Sequence, residues 1–409
     1  MNAVPYMMTL GGQTFAQAYA ALETALGCAT SAAQCGINGN PTVGAQPFFE
    51  AALGGPNSAY CVHYANCTAA VMANEGAGSN ATGNLLNQDV WHLWSDLDNG
   101  PFTFARSMMN TPIPGEANGA NGQASSGIAL NASTGYGNYH GGFVTFKTSN
   151  FHGLTAQANF TYSKALGTGA VVQASSEYTP NDPFNLNAMY GVQYYNHKFI
   201  FNTFVLYQTP WYKNQIGLMG RLLGGYTLSP VFVTGSGAPV YCSTNTNSSS
   251  FGEGDGNAYF SNEQCVFTSK YKGGVSTHRN VSGGADAFGN AIGTQTAGTG
   301  AAAINMFANP AAVFDQVRAP ILGIDTKNPG EGPISGLPYW NMDVSLSKDV
   351  RLAERLMIQL TFVSTNVFNH LDFANPSLGI NSSSYSTWGV INSQGNTPRQ
   401  MQFGGRIRF

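Results

Sequence analysis

Residues 154–162 read LTAQANFTY. Leu154, Ala156, Ala158, Phe160 and Tyr162 fall on one side of a two-residue period, and Thr155, Gln157, Asn159 and Thr161 on the other. Successive side chains of a strand point to opposite faces, so this pattern predicts a strand with one apolar and one polar face. NMDVSLSK (341–348) repeats it, with Met342, Val344 and Leu346 against Asn341, Asp343, Ser345 and Ser347. So does MQFGGRIRF (401–409), where Met401, Phe403, Ile407 and Phe409 share a side with Gly405, and Gln402, Arg406 and Arg408 take the other. Further strands are expected over 139–149, 197–208, 222–235 and 356–368, with a short one over 4–10, which makes about eight. Several exceed the roughly 5–6 residues usual in soluble sheets. They match the roughly 9–11 residues that a tilted membrane-spanning strand needs.

Composition decides what such strands face. Charged residues are 9% of the chain, against about 25% in soluble domains. Aromatics reach 12%, and there are 50 glycines. Disordered chains are poor in aromatics, and a net charge of −3 gives no electrostatic footprint for nucleic acid. Low charge with alternating strands suits one face in lipid and the other on a wet lumen. No apolar run is long enough for a membrane-spanning helix. The opening MNAVPYMMTLGGQTF lacks a basic segment and an apolar core, so any export signal is expected upstream of residue 1.

The connections between strands alternate in length. NFHG is short, as is RLAER (351–355), and TPWYKNQIGLMGR (209–221) is moderate; 165–196, 236–338 and 369–398 are long. With Phe409 at the periplasmic end, counting back puts every short link in the periplasm and every long loop outside, as in outer-membrane barrels. Residues 1–138 read as a first strand followed by a long extracellular loop region. Short helices are expected over 14–26, 67–76 and 85–100, too glycine-rich to pack much core. Residues 139–409 carry the remaining strands. The fold expected is thus all-β: a transmembrane antiparallel β-barrel, or part of one, with long extracellular loops containing short helices.

The six cysteines form three sequence-local pairs, Cys28 with Cys35, Cys61 with Cys67 and Cys242 with Cys265. Three disulfides are expected, although the spacing alone leaves other connectivities open. They would place the loops in an oxidising compartment. The competing reading is a metal site in CVHYANC, which holds Cys61, His63 and Cys67 but matches no zinc spacing. No catalytic motif stands out: there is no G-x-S-x-G, H-E-x-x-H or P-loop. DLDNG (96–100) resembles a calcium loop, with its glycine one residue early and no distal glutamate. Trp91 and Trp94 are candidate ligand contacts in a loop, set against simple packing of a loop helix. Tyr194, Tyr195, Tyr207, Trp211, Trp340 and Phe409 lie near strand ends, where aromatic girdles form. His370, beyond a strand end, reads as a loop contact. No enzyme activity, metal or cofactor is expected.

Several segments resemble the barrel of TonB-dependent receptors of the Oar-like type. GLTAQANFTYSKAL with the later DPFNLNAMYG is one such pair, and LLGGYTLSPVFVTGSGAPV (222–240) is similar to the next strand of those receptors. PYWNMDVSLSKDVRLAERLMIQLTFVSTNVFNHLDFANP (338–376) and PRQMQFGGRIRF (398–409) resemble their last three strands. The resemblance covers roughly 135–240 and 335–409. It implies a barrel of about 22 strands, of which this chain holds about the last eight, closed around an N-terminal plug. It also implies ligand binding outside the cell and import powered by an inner-membrane TonB complex. No plug or TonB box is visible here, so that coupling would run through a missing N-terminal part. The alternative is a surface adhesin or structural barrel acting through stapled loops. Expected partners are outer-membrane lipid, an extracellular ligand of unknown identity, and the barrel-assembly machinery. The last of these would read Phe403, Ile407 and Phe409 on a terminal alternating strand.

Overall fold

The computed structural model describes residues 9–79, 81–90, 93, 97, 135–168, 187, 190–240, 242–243, 265–269, 275–279, 281, 285, 289, 291–294, 303–325, 334–353, 356–380 and 385–409. Its main feature is an eight-stranded sheet. Seven long strands follow one another through it in chain order: β1 Gly137–Phe151, β2 Leu154–Gly167, β3 Phe199–Gln208, β4 Tyr226–Gly235, β5 Tyr339–Arg351, β6 Met357–Thr365 and β7 Gln400–Arg408. The eighth, Gly191–Val192, is a two-residue strand beside β2. Every pairing in the sheet is antiparallel. It is an up-and-down meander whose edges, β1 and β7, do not meet, so it forms a sector of a barrel.

Register carries the two-residue pattern across the whole sheet. Phe160 lies opposite Val144 and Phe201, Phe232 opposite Thr203 and Met342, and Leu346 opposite Leu228 and Phe362. Phe362 in turn faces Phe403, with ring centroids 5.0 Å apart. These residues share one face. Asn159 and Asn202 share the other, where Asn159 Nδ2 donates to Asn202 Oδ1 at 2.8 Å and Thr145 Oγ1 donates to Asn159 Oδ1 at 3.0 Å. Cross-strand neighbours of like polarity are what hold a sheet in one register, since a one-residue slip would exchange the faces.

The connections sort by end. β1 turns into β2 through His152 and Gly153, both at positive φ as a two-residue hairpin turn requires. A Cβ on Gly153 would stand 2.1 Å from the Gln208 carbonyl oxygen, so no other residue fits there. At the same end lie 209–225 and the 352–356 turn. The opposite end receives 168–198, 236–338 and 366–399. Within 209–225 the chain forms a helix, Gly217–Leu223, so β4 begins at Tyr226 and not at 222 as its sequence suggests. The short first strand expected over 4–10 does not join the sheet in its described part: Thr9–Leu10 pairs with Gln13–Thr14 in a small hairpin. Two glycines at positive φ, Gly11 and Gly12, turn it back before an apolar strand could extend.

The long-connection end holds a folded cap. Labelled in chain order, its helices are α1 Phe15–Ala25, α2 Pro47–Ala52 and α3 Cys67–Glu75; the short-end helix Gly217–Leu223 is α4, and α5 is Pro310–Phe314, back in the cap. The Thr14 hydroxyl and the Gln17 side chain close a reciprocal box at the start of α1. Asn66 caps α3 through Ala69 N, and the Glu50 carboxylate accepts from Cys67 N at 3.1 Å and Thr68 N at 2.9 Å. That places a negative charge at the positive end of the helix.

The poor core expected of these short helices is corrected by the structure. Phe15, Tyr19, Leu22, Phe48, Phe49, Val71 and Leu85 are all fully buried in one cluster, and the rings of Phe15 and Phe48 meet edge-on at 5.4 Å. Ile321 and Leu322, from far along the chain, complete it. A second core gathers Met306, Phe307, Phe314, Val317, Leu378 and Trp388, with Trp388 stacked on Phe307 at 5.1 Å. Asn305, fully buried there, donates to the Gly293 and Trp388 carbonyls at 2.8 Å and accepts from Phe307 N at 2.9 Å. The segment after α1 reaches into the second core through Ala32 N donating to Val317 O and Ser31 Oγ to Asp315 Oδ1. At Gly323 a Cβ would stand 2.3 Å from the Ala16 carbonyl oxygen, which brings this loop directly onto α1.

All three disulfides, Cys28–Cys35, Cys61–Cys67 and Cys242–Cys265, lie in the cap with the expected pairing. Cys61 and Cys67 are bonded to each other, so the metal reading of CVHYANC loses its thiolate ligands. Glu23 is buried among the aromatics of α1. Burial raises its carboxyl to about 8, with hydrogen bonds from Tyr19 and Gln88 lowering it only in part.

Candidate functional site

The polar face of the sheet opens, at the long-connection end, into a cleft of about 640 Å³. Its floor is the outermost polar-face row: Tyr339, Asn341 and Asp343 of β5, Thr365 of β6 and Gln400 of β7. Its walls come from three loops: His197 before β3, Ala238 and Leu337 beside a small two-strand pairing, and residues 366–397. Strand alternation therefore aims the floor residues, and the loop following β6 encloses them.

The loop is held by a network of amides and carboxylates. Asp343 Oδ1 accepts from Asn341 Nδ2 at 2.8 Å and from Asn366 N at 2.8 Å. Asn366, at positive φ, closes the turn after β6: its side chain donates to the His370 and Thr397 carbonyls and accepts from His370 N at 2.8 Å. Asp372 Oδ1 takes His370 Nε2 at 3.1 Å, and its backbone N–H donates to Asn396 Oδ1 at 3.0 Å. The His370 ring stacks on Trp340, with centroids 4.0 Å apart. His370 is thus the loop contact its sequence position suggests. On the opposite wall His197 Nδ1 lies 2.7 Å from the Ser236 carbonyl. The Asn341 Oδ1 atom, within the cleft floor, is buried and has no hydrogen-bond partner among the described residues.

Chemically the cleft offers amides, hydroxyls, two carboxylates and an aromatic wall. Among the described residues no lysine or arginine lines it. Such a surface suits a neutral or cationic polar ligand and repels phosphate-like anions. Asn341 and Asp343 are legible from alternation as polar-face residues. Asn366, Asp372 and Asn396 are not, because loop residues carry no period; the Asn-rich stretches around them were the only signal. Ile200, Phe204, Leu206, Val231, Val233 and Val363 depart from the pattern by placing apolar groups on the polar face.

Trp91 and Trp94 lie outside the described residues, as do Asp96 and 98–100 of the calcium-like DLDNG. The strand-end aromatics form two groups. Trp340 meets Phe232 and Phe368 at the long-connection end, near which Tyr194 and Tyr195 also lie. Tyr207 meets Trp211 at the short end, at 6.3 Å. Between them the apolar face spans β1 to β7; Phe143 and Phe204 are phenylalanines that the register puts on the polar face instead. On β7, Met401, Phe403 and Ile407 lie on that face, and Gln402, Arg406 and Arg408 on the polar one, where Arg408 Nη2 donates to Gln359 Oε1.

A sheet apolar on one side, polar on the other, with aromatics at both rims, is the construction of a membrane barrel wall. A family model described as an outer membrane beta barrel domain matches residues 84–402, well over half of the chain. No curated protein and no solved structure gives a match. The geometry and the match agree that this chain belongs to the outer membrane beta barrel domain family, with its apolar sheet face turned to lipid.

Proposed function

We propose that the chain is the C-terminal barrel sector of an outer-membrane receptor of the TonB-dependent, Oar-like type, which binds a ligand at the cell surface for import. The observation that carries this reading is the cleft at the mouth of the lumen, floored by Asn341 and Asp343 and enclosed by loops that belong to a folded, disulfide-stapled cap. The segregation of long connections to one end supports an orientation with the cap outside and the short turns in the periplasm. The role is binding and passage, not catalysis. The ligand fitting the cleft is polar and neutral or cationic.

The reading frame upstream of residue 1 tests the import step. A plug and a TonB box in it support import. A frame holding only an export signal contradicts it and leaves a cap that acts as an adhesin. The proposed contact with the barrel-assembly machinery runs through Phe403 and Ile407 on the apolar side of β7 and Phe409 directly after it. Phe409→Ala in the full-length protein is expected to lower the amount assembled in the outer membrane, and undiminished assembly refutes that contact.

A further inference from the structure

The connection from β3 to β4 differs from the other two short connections in what it exposes. From Trp211 through Leu223 it reads WYKNQIGLMGRLL. Ile216 is 82% exposed, Leu218 74% and Met219 64%, and Trp211, Leu222 and Leu223 are exposed as well. So many large apolar side chains side by side on a surface mark an interaction site.

The segment is fixed in place. The Gln215 side chain donates to the Asp349 carbonyl at 2.7 Å and accepts from Arg351 N at 2.8 Å, which ties the start of α4 to the end of β5. Lys348 Nζ binds the Gly224 carbonyl at the C-terminal end of α4 and lies 4.4 Å from the centre of the Tyr226 ring. Gly224 and Gly225 allow this close seating: a Cβ on the first would stand 2.3 Å from the Tyr212 carbonyl oxygen, and one on the second 2.5 Å from that of Asp349. Two of these contacts lie on the lipid side. Lys348 and Tyr226 are apolar-face residues paired with each other, and Trp211 meets Tyr207 of the same face. The exposed apolar set therefore continues the lipid-facing band past the end of the strands.

We propose that α4 and the residues leading into it form an interfacial anchor, seated in the headgroup layer of the membrane leaflet at the short-connection end. Trp211 and Tyr212 would lie at headgroup depth, and Leu218, Met219 and Leu222 in the upper acyl chains. The only charged residues of 209–225, Lys213 and Arg221, are basic and match anionic lipid phosphates. Lys348, on the apolar face, snorkels to the rim, where it holds the end of α4.

The test uses the full-length oxidised protein, whose native cysteines are paired, so an added thiol alone takes a probe. Leu218→Cys, and separately Met219→Cys, would carry an environment-sensitive fluorophore; Ala353→Cys, in the β5–β6 turn, is the comparator. The protein is placed in vesicles of phosphatidylethanolamine and phosphatidylglycerol containing lipids with a nitroxide on the upper acyl chain. The label at 218 or 219 is expected to be quenched several-fold by the nitroxide lipid and shielded from aqueous iodide, with the reverse at 353. Iodide quenching at 218 and 219 equal to that at 353 overturns the anchor. Shielding from both quenchers also overturns it, because it shows a protein partner or second copy on this surface.

Discussion

The strands of the large sheet bury only small side chains, Ser163, Ala165, Gly167, Gly235 and Ser364, whereas the cap buries Phe15, Tyr19, Phe48, Phe49, Phe307 and Trp388 completely. One region leaves its apolar residues outside and the other encloses them. Each matches its solvent. In lipid, an outward Phe403 or Leu360 is already in an apolar medium, and the backbone is satisfied by strand pairing. In water, the cap has to build cores, and its short helices manage this by drawing apolar residues from distant segments and by cross-linking. The contrast explains how a chain with 9% charged residues serves both environments.

Reduction should separate the two regions most sharply. Each disulfide of a small stapled unit contributes about 2–5 kcal/mol, and all three are in the cap. Limited proteolysis of the full-length protein in lipid, with and without reductant, is expected to show residues 9–97 becoming cleavable while 339–408 stay protected. Equal protection of both regions after reduction would break the comparison. Core substitution is the next largest effect. Phe49→Ala leaves a cavity in the cap and should cost about 3–5 kcal/mol. Phe403→Ala loses transfer energy but leaves no cavity, because lipid fills the space, and should cost less, about 1.5–3 kcal/mol. Denaturant melts of the two variants give the order directly.

A smaller, pH-dependent difference is expected from Glu23. Its carboxyl ordinarily titrates near 4.5 and is raised to about 8 in the folded cap. The folded state then holds a proton that the unfolded state has released. The associated stability is fully present below about 4.5 and is lost as pH rises through about 8. The cap should therefore melt at lower temperature at pH 9 than at pH 5, and Glu23→Gln should flatten this dependence. A wild-type cap as stable at pH 9 as at pH 5 would contradict the assignment.

How much of this was legible follows from the same contrast. Six of the long strands lie within a few residues of their expected bounds, and in 154–162, 341–348 and 401–409 this reflects the period of two that a half-lipid, half-water sheet imposes on neighbouring residues. The fourth was misplaced at its start because LMGRLLGG continues as α4 and a glycine pair before Tyr226. The cap was readable in parts: the short helices expected over 14–26 and 67–76 are α1 and α3, and the disulfides were legible from proximity in sequence. Its cores were not, since Ile321 and Leu322 reach Phe15 and Leu22 across the chain and leave no local trace. Helix α2 carried a signal that was missed, Pro47 at a first helical position followed by Phe48 and Phe49. Of the cleft, the strand residues Asn341 and Asp343 could be placed on the polar face, whereas the closing residues Asn366, Asp372 and Asn396 required the loop's own hydrogen bonds.

The central claim, that one face of this sheet meets lipid and the other water, is tested most directly on β7. Spin labels placed singly at 401, 402, 403, 406, 407 and 408 of the full-length protein in bilayers would be compared for collision with oxygen, which concentrates in lipid, and with a water-soluble nickel chelate. The account predicts oxygen access at 401, 403 and 407 and nickel access at 402, 406 and 408. Uniform access to either reagent along the strand would contradict it.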